Sequence, residues 1–181
     1  YYQPIAVSSY TSNASSFFYS DGYIARFNSS CALTWATFFG GDGDDNMQDI
    51  QVDDVNHKLY LVGGTYSTFT SDDNCDFHVS MFPICNTAGT FYARNLLNGN
   101  NSINKSDGFI AKFNLSSLAL EGCSYFGGSN EDVITDVTTD NNNNVFTTGY
   151  TKSSFTSTTC STPNGNFPIC KTANSYTQNI G

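Results

Sequence analysis

The chain has 181 residues and a formal net charge of −9, with only seven Lys or Arg. So few scattered cations exclude a ligand for phosphate backbones, and with no run of 18 apolar residues nothing reads as a membrane-spanning helix. Ser, Thr, Asn and Gly make up 78 residues against eight Leu and two Glu, which excludes a helical bundle and, with 15% aromatics, favours strands joined by polar turns.

In chain order, the first connection (1–20) is crowded with Tyr1, Tyr2, Tyr10, Phe17, Phe18 and Tyr19. Such rings either pack on a neighbouring sheet or stack on sugars. Tyr1 is not an initiator Met and no signal peptide precedes it, so the chain reads as a processed product or a piece of something longer. Four strand signals follow. Tyr23, Ala25 and Phe27 alternate with Ile24 and Arg26; Trp35 to Phe39 is apolar-rich and stops at Gly40-Gly41. Ile50 and Val52 alternate with Asp49, Gln51 and Asp53; Leu59 to Val62 is a continuous apolar run stopped by Gly63-Gly64. Asp, Asn and Gly clusters separate them, as turns require.

The pattern then starts again. Asp21-Gly-Tyr-Ile-Ala-Arg-Phe-Asn28 recurs as Asp107-Gly-Phe-Ile-Ala-Lys-Phe-Asn114, and Phe39-Gly-Gly41 as Phe126-Gly-Gly128. Asp45, Asp49 and Asp53 recur as Asp132, Asp136 and Asp140; Phe69-Thr-Ser71 as Phe155-Thr-Ser157; Phe82-Pro-Ile-Cys85 as Phe167-Pro-Ile-Cys170. The offset stays between 85 and 87 residues. Asn141 to Asn144 is the turn between the third and fourth strands of the second copy. Tyr176-Thr-Gln-Asn-Ile-Gly181 echoes Tyr1-Tyr-Gln-Pro-Ile-Ala6. One copy therefore covers 1–91 (core strands about 21–66, insertion 70–91) and a second 92–175 (core about 107–151, insertion 155–175), with 176–181 beginning a third repeat or a connection between subunits. Four short strands within about 45 residues, repeated, form the signature of a propeller blade or β-solenoid unit. A lone sheet of this kind cannot bury both faces, so the apolar rows should lie between stacked blades.

The string Asp-Gly-(Tyr/Phe)-Ile-Ala-(Arg/Lys)-Phe-Asn, then Phe-Gly-Gly, then Asp45 or Asp132, resembles the SBBP repeats, named for seven-bladed β-propellers. So do Val145-Phe-Thr-Thr-Gly-Tyr-Thr151 and Phe167-Pro168. The resemblance implies propeller-type blades in secreted or surface proteins and carries no catalytic residues with it. These copies are longer than a four-stranded core, and two blades cannot close a ring that needs about four to eight. Within this chain the blades should be open.

Cys75 and Cys85 lie ten positions apart, and Cys160 and Cys170 repeat that spacing at the equivalent place. Two local disulfides, each stapling an insertion, are the economical reading. Zinc would call for closer cysteines or His partners, and His78 has no counterpart in the second copy. Cys31 and Cys123 are not repeat-equivalents, and the expectation is a bridge between adjacent blades, with bonding to a neighbouring chain as the alternative. Disulfides place the chain in an oxidising, extracellular or cell-surface setting. Asn-X-Ser/Thr sequons stand at Asn13, Asn28, Asn100, Asn104 and Asn114, though a composition this rich in Asn, Ser and Thr produces about five by chance.

Asp42, Asp44, Asn46 and Asp53 fall at positions 1, 3, 5 and 12 of a calcium-hand register, but Met47 stands where that loop needs Gly and the following residues read as strand. A solvated turn is the better reading, so no metal and no cofactor are expected. Nucleophilic catalysis is disfavoured: His57 and His78 are the only histidines, His57 lies in a polar turn, and no Gly-X-Ser-X-Gly occurs. Paired carboxylates can hydrolyse glycosides, but Glu121 and Glu131 are the only Glu and the Asp residues recur with the repeat. The expectation is an all-β, non-enzymatic, extracellular structural repeat protein: two consecutive four-stranded blades with disulfide-stapled insertions. These would stack on copies of the chain, or on further blades of a longer one, to build a fibre or surface filament. The alternative is a glycan-binding adhesin or lectin-like module.

Overall fold

The computed structural model describes residues 19–68, 75, 82–86, 105–154 and 167–169. Among these, every regular element is a strand: β1 (Gly22–Phe27), β2 (Leu33–Phe39), β3 (Asp45–Asp53), β4 (Lys58–Thr65), β5 (Cys85–Asn86), β6 (Asp107–Asn114), β7 (Leu120–Phe126), β8 (Asp132–Thr139) and β9 (Val145–Thr151). All pairings are antiparallel.

The all-β, open-blade architecture is the expected one, but the strands are shared out differently. Four consecutive strands of a copy do not form one sheet. The central sheet has the order β3-β4-β6-β7-β5, flanked by the separate hairpins β1-β2 and β8-β9. The second half of the first copy thus joins the first half of the next, and the complete blade straddles the repeat boundary. The cause is the Phe-Gly-Gly corner. Between β2 and β3, and between β7 and β8, the chain leaves one sheet for the next instead of folding back. β4 and β6 are far apart in sequence, yet they pair without a break from Lys58↔Asn114 to Thr65↔Asp107.

The central sheet is covered on both faces. Leu59, Leu61, Phe109, Ala111 and Phe113 bury with Ile24 and Phe39 of the β1-β2 hairpin. Tyr60 and Val62 bury with Ile134 and Val137 of β8, backed by Ile110 and Phe126. β4 therefore alternates between two cores, which explains why its sequence is a continuous apolar run. A hydrogen bond donated by Val137 N to the Asp49 side-chain carboxylate, 2.9 Å, ties β8 to β3 across the second layer.

The described part of the first insertion packs into its blade. Phe82 and Ile84 are buried in the first core, and Cys85 pairs with Cys123 at the end of the central sheet. Phe82 meets Phe39 edge-on with ring centroids 5.4 Å apart, and the repeat-equivalent Phe167 meets Phe126 in the same way at 5.2 Å.

Turns repeat their chemistry. Asn28 Oδ1 accepts from Ser30 N and Ala32 N, and Asn114 Oδ1 from Ser116 N and Ser117 N. Asp53 accepts from Asn56, and Asp140 from Asn142 and Asn144. Each hairpin also holds one non-glycine residue at positive φ: Cys31, His57, Leu118 and Asn143.

Candidate functional site

Two structural sites recur with the repeat: a buried carboxylate at each Phe-Gly-Gly corner, and the open faces and edges of the flanking half-blades.

At the first corner Asp45 is buried, and its carboxylate accepts from Gly41 N at 2.7 Å and from the Thr65 and Ser67 hydroxyls. Asp45 N donates to Ser20 O at 2.7 Å. The second corner repeats this: Asp132 accepts from Gly128 N at 2.6 Å and the Ser153 hydroxyl at 2.8 Å, while Asp132 N donates to Ser106 O at 2.7 Å. A second carboxylate closes in from the Asp-Gly motif. A Cβ on Gly40 would lie 2.5 Å from Asp21 and 2.6 Å from Asp45; one on Gly127 would lie 2.8 Å from Asp132 and 2.9 Å from Asp107. Only glycine fits between them, which is what the Phe-Gly-Gly string records. Burial pushes the Asp45 carboxyl up to about 7; its hydrogen bonds with Thr65, Ser67 and Gly41 pull the other way, and nearby Asp21 adds to the rise. Asp21 is raised too, by burial and then by the charge of Asp44. In sequence these aspartates read only as recurring turn residues, and their role was missed.

The half-blades expose what the complete blade buries. Tyr23 is 72% exposed and its equivalent Phe109 0%; Phe27 is 60% exposed and Phe113 3%. Ile50 is 46% exposed against 2% for Val137, and Phe146 56% against 7% for Tyr60. Among the described residues, β1 pairs with β2 alone and β9 with β8 alone, whereas their equivalents β6 and β4 are joined to each other.

The remaining expected site residues fall as follows. Cys75 and Cys85 form the expected disulfide. Cys160 and Cys170 lie outside the described residues. Cys31 and Cys123 are not bridged to each other: Cys31 is a free thiol in the exposed β1-β2 turn, and Cys123 is a free thiol buried in β7. Burial pushes the Cys123 thiol up. The calcium register is broken by β3, which places Asp53 roughly 25 Å from Asp45. Asp42 is occupied by Thr68, Asp44 by Ser20 and Asp53 by Asn56. No group of three metal-ligating side chains occurs among the described residues.

Of the sequons, Asn28 sits in an exposed turn, while Asn114 donates its amide to Glu121 at 3.1 Å; Asn13, Asn100 and Asn104 lie outside the described residues. So do His78 and the first-connection aromatics apart from Tyr19. His57 is exposed at its turn. Glu121 is engaged by Lys58 at 2.8 Å and Glu131 by Lys152 at 2.8 Å. Burial would raise the Glu121 carboxyl, but its bonds to Lys58 and Asn114 and the charges of Lys58 and Lys112 hold it below the usual range.

A cleft of about 280 Å³ opens between β3-β4 and β8-β9, lined by Asn46, Gln48, Tyr66, Val133, Thr135 and Tyr150, among others. No helix among the described residues is long and apolar enough to cross a membrane.

No curated protein matches the chain. The family model for the beta-propeller repeat SBBP matches residues 124–156, the stretch from the end of β7 through the second Phe-Gly-Gly corner, β8 and β9. Over these residues the chain is similar to an SBBP beta-propeller repeat.

Proposed function

We propose that this chain is a non-enzymatic, extracellular structural unit whose blades stack with those of neighbouring copies into a fibre or surface filament. One observation carries the reading: among the described residues, a complete blade at the centre leaves an unfinished half-blade on either side. A closed monomer would have no reason to expose Tyr23, Phe27, Ile50 and Phe146 at positions that are buried one repeat away. A contact that joins one end of a unit to the other end of the next, without closing, propagates as a filament. The disulfide supports an oxidising compartment. Negative-stain imaging of native material tests the reading: rods or fibres are expected, and compact single particles at all concentrations would contradict it.

A second reading is favoured by the cleft. Tyr66 and Tyr150 line it together with Asn46 and Gln48, a combination of aromatic and amide side chains that suits a sugar ring. A glycan array probed with the native protein and with Tyr66→Ala and Tyr150→Ala decides it. Glycan signal that both changes abolish would support the adhesin; no signal on any glycan would sink it.

A further inference from the structure

Resting on the filament reading, we propose that β9 of a second copy of this chain pairs with β1, in the register that β4 and β6 use within one chain. The internal junction is the template. β4 pairs antiparallel with β6 over eight residues, and β9 is the repeat-equivalent of β4 as β1 is of β6. Transferring that register by the 86-residue offset sets Phe27 opposite Val145 of the second copy, Arg26 opposite Phe146, Ala25 opposite Thr147, and Ile24 opposite Thr148. Tyr23 then faces Gly149, and Gly22 faces Tyr150.

The joint unites β8-β9 of one copy with β1-β2 of the other into the order β8-β9-β1-β2, which matches β3-β4-β6-β7 of the central blade strand for strand. Three features of the edges that are unpaired among the described residues fit it. First, the exposed side chains would be covered by the groups that cover their equivalents. Tyr60 packs with Ile134 and Val137, so Phe146 of the second copy would pack on Met47 and Ile50, the residues equivalent to that pair. Second, Asp136 is exposed and its equivalent Asp49 accepts from Val137 N. Asp136 of the second copy would accept from Ile50 N in the same way. Third, the turns match: Leu115 N donates to His57 O at 2.9 Å beside the β4-β6 junction. His57 and Asn143 hold the same positive-φ turn position, at 54° and 67°. Ser29 N would therefore meet Asn143 O of the second copy.

An unpaired strand edge is ordinarily blunted by charge, proline or a covering segment. β9 reads Val-Phe-Thr-Thr-Gly-Tyr-Thr, with neither charge nor proline. β1 carries Arg26 alone, placed opposite Phe146, where a guanidinium over a ring is favourable.

Cysteine cross-linking tests the register. In a Cys31→Ser background, which removes the exposed thiol, the pairs Ala25→Cys/Thr147→Cys and Arg26→Cys/Phe146→Cys are in register. Arg26→Cys/Thr148→Cys is shifted by two. One of two adjacent cross-strand pairs is a non-hydrogen-bonded pair with the shorter spacing a disulfide needs. On mild oxidation at least one in-register pair should give a ladder of covalent multimers, about tenfold stronger than the shifted pair. Filaments that form normally but give no in-register ladder, or a stronger shifted one, would overturn this joint and leave the filament reading standing. Variants that stay monomeric and uncross-linked, beside a monomeric wild type, would overturn both.

Discussion

Gly63 and Gly149 show how closely two copies follow one rule. A Cβ on Gly63 would run into the Asn46 carbonyl, and one on Gly149 into the Val133 carbonyl, at the same bulge of the β3-β4 and β8-β9 ladders. No rotamer relieves a clash with backbone, so Gly63→Ala should destabilise the fold by about 1–3 kcal/mol, measured by urea unfolding; an unchanged midpoint would show that the bulge can move. Phe82 lies in the middle of the aromatic cluster with Phe39, Phe109 and Tyr125. Phe82→Ala should cost about 3–5 kcal/mol, far more than truncating an exposed ring such as Tyr23. Phe82 was visible in the sequence as part of a recurring string, but Gly63-Gly64 read as a strand stop, whereas β4 runs through both to Thr65. The partners of these residues were not legible, because a Gly-Gly stop looks the same whether it ends a strand or makes room for a carboxylate.

At the scale of the element, the buried Asp45 carboxylate of the first corner gives the fold a pH dependence with a definite sign. The Asp45 carboxyl is raised to about 7 from 3.8, so the folded state holds its proton in a range where the unfolded chain has released it. That stabilisation is complete below about pH 4 and is lost as pH rises through about 7, at up to about 1.4 kcal/mol per pH unit. Thermal unfolding of the wild type should therefore fall between pH 5 and 7, while Asp45→Asn should flatten the curve; a parallel fall in both would assign the effect to another group. The Cys75–Cys85 staple belongs to the same scale. It closes a loop ten residues apart in sequence, and opening it should cost about 2.5–3 kcal/mol in the chain-entropy account, read as a lower unfolding midpoint in Cys75→Ser. Strand existence was legible from alternation, and the β4 run announced a strand buried on both faces. Strand partnership was not, because an apolar pattern fixes which face of a strand is buried and leaves its edges undetermined. Nothing local says that the chain leaves the sheet at Phe39-Gly-Gly41 instead of folding back. That Cys31 and Cys123 do not bridge each other within the chain was not legible for a related reason: a cysteine's position in a repeat does not reveal that one sits in an exposed turn and the other inside β7.

For the whole molecule, the sequence repeat and the structural blade are out of phase by two strands, and the proposed joint follows from that offset. Among the described residues one blade is finished, and the hairpins β1-β2 and β8-β9 stand as halves. In the proposed assembly the exposed Tyr23, Phe27 and Phe146 lie where the next blade would cover them, whereas the first-connection aromatics singled out by composition lie, apart from Tyr19, outside the described residues. The low charge fits this account, since a chain that stacks on itself has little use for repulsion between copies. Sedimentation velocity of the wild type beside Phe146→Asp, over a series of concentrations, tests the central claim most directly. Phe146 is exposed in the single chain, so the change should leave folding intact. The account predicts wild-type species that grow with concentration, and a Phe146→Asp chain that stays monomeric to concentrations about tenfold or more higher. A wild type that sediments as a monomer throughout, or a variant that assembles as well as the wild type, would contradict it.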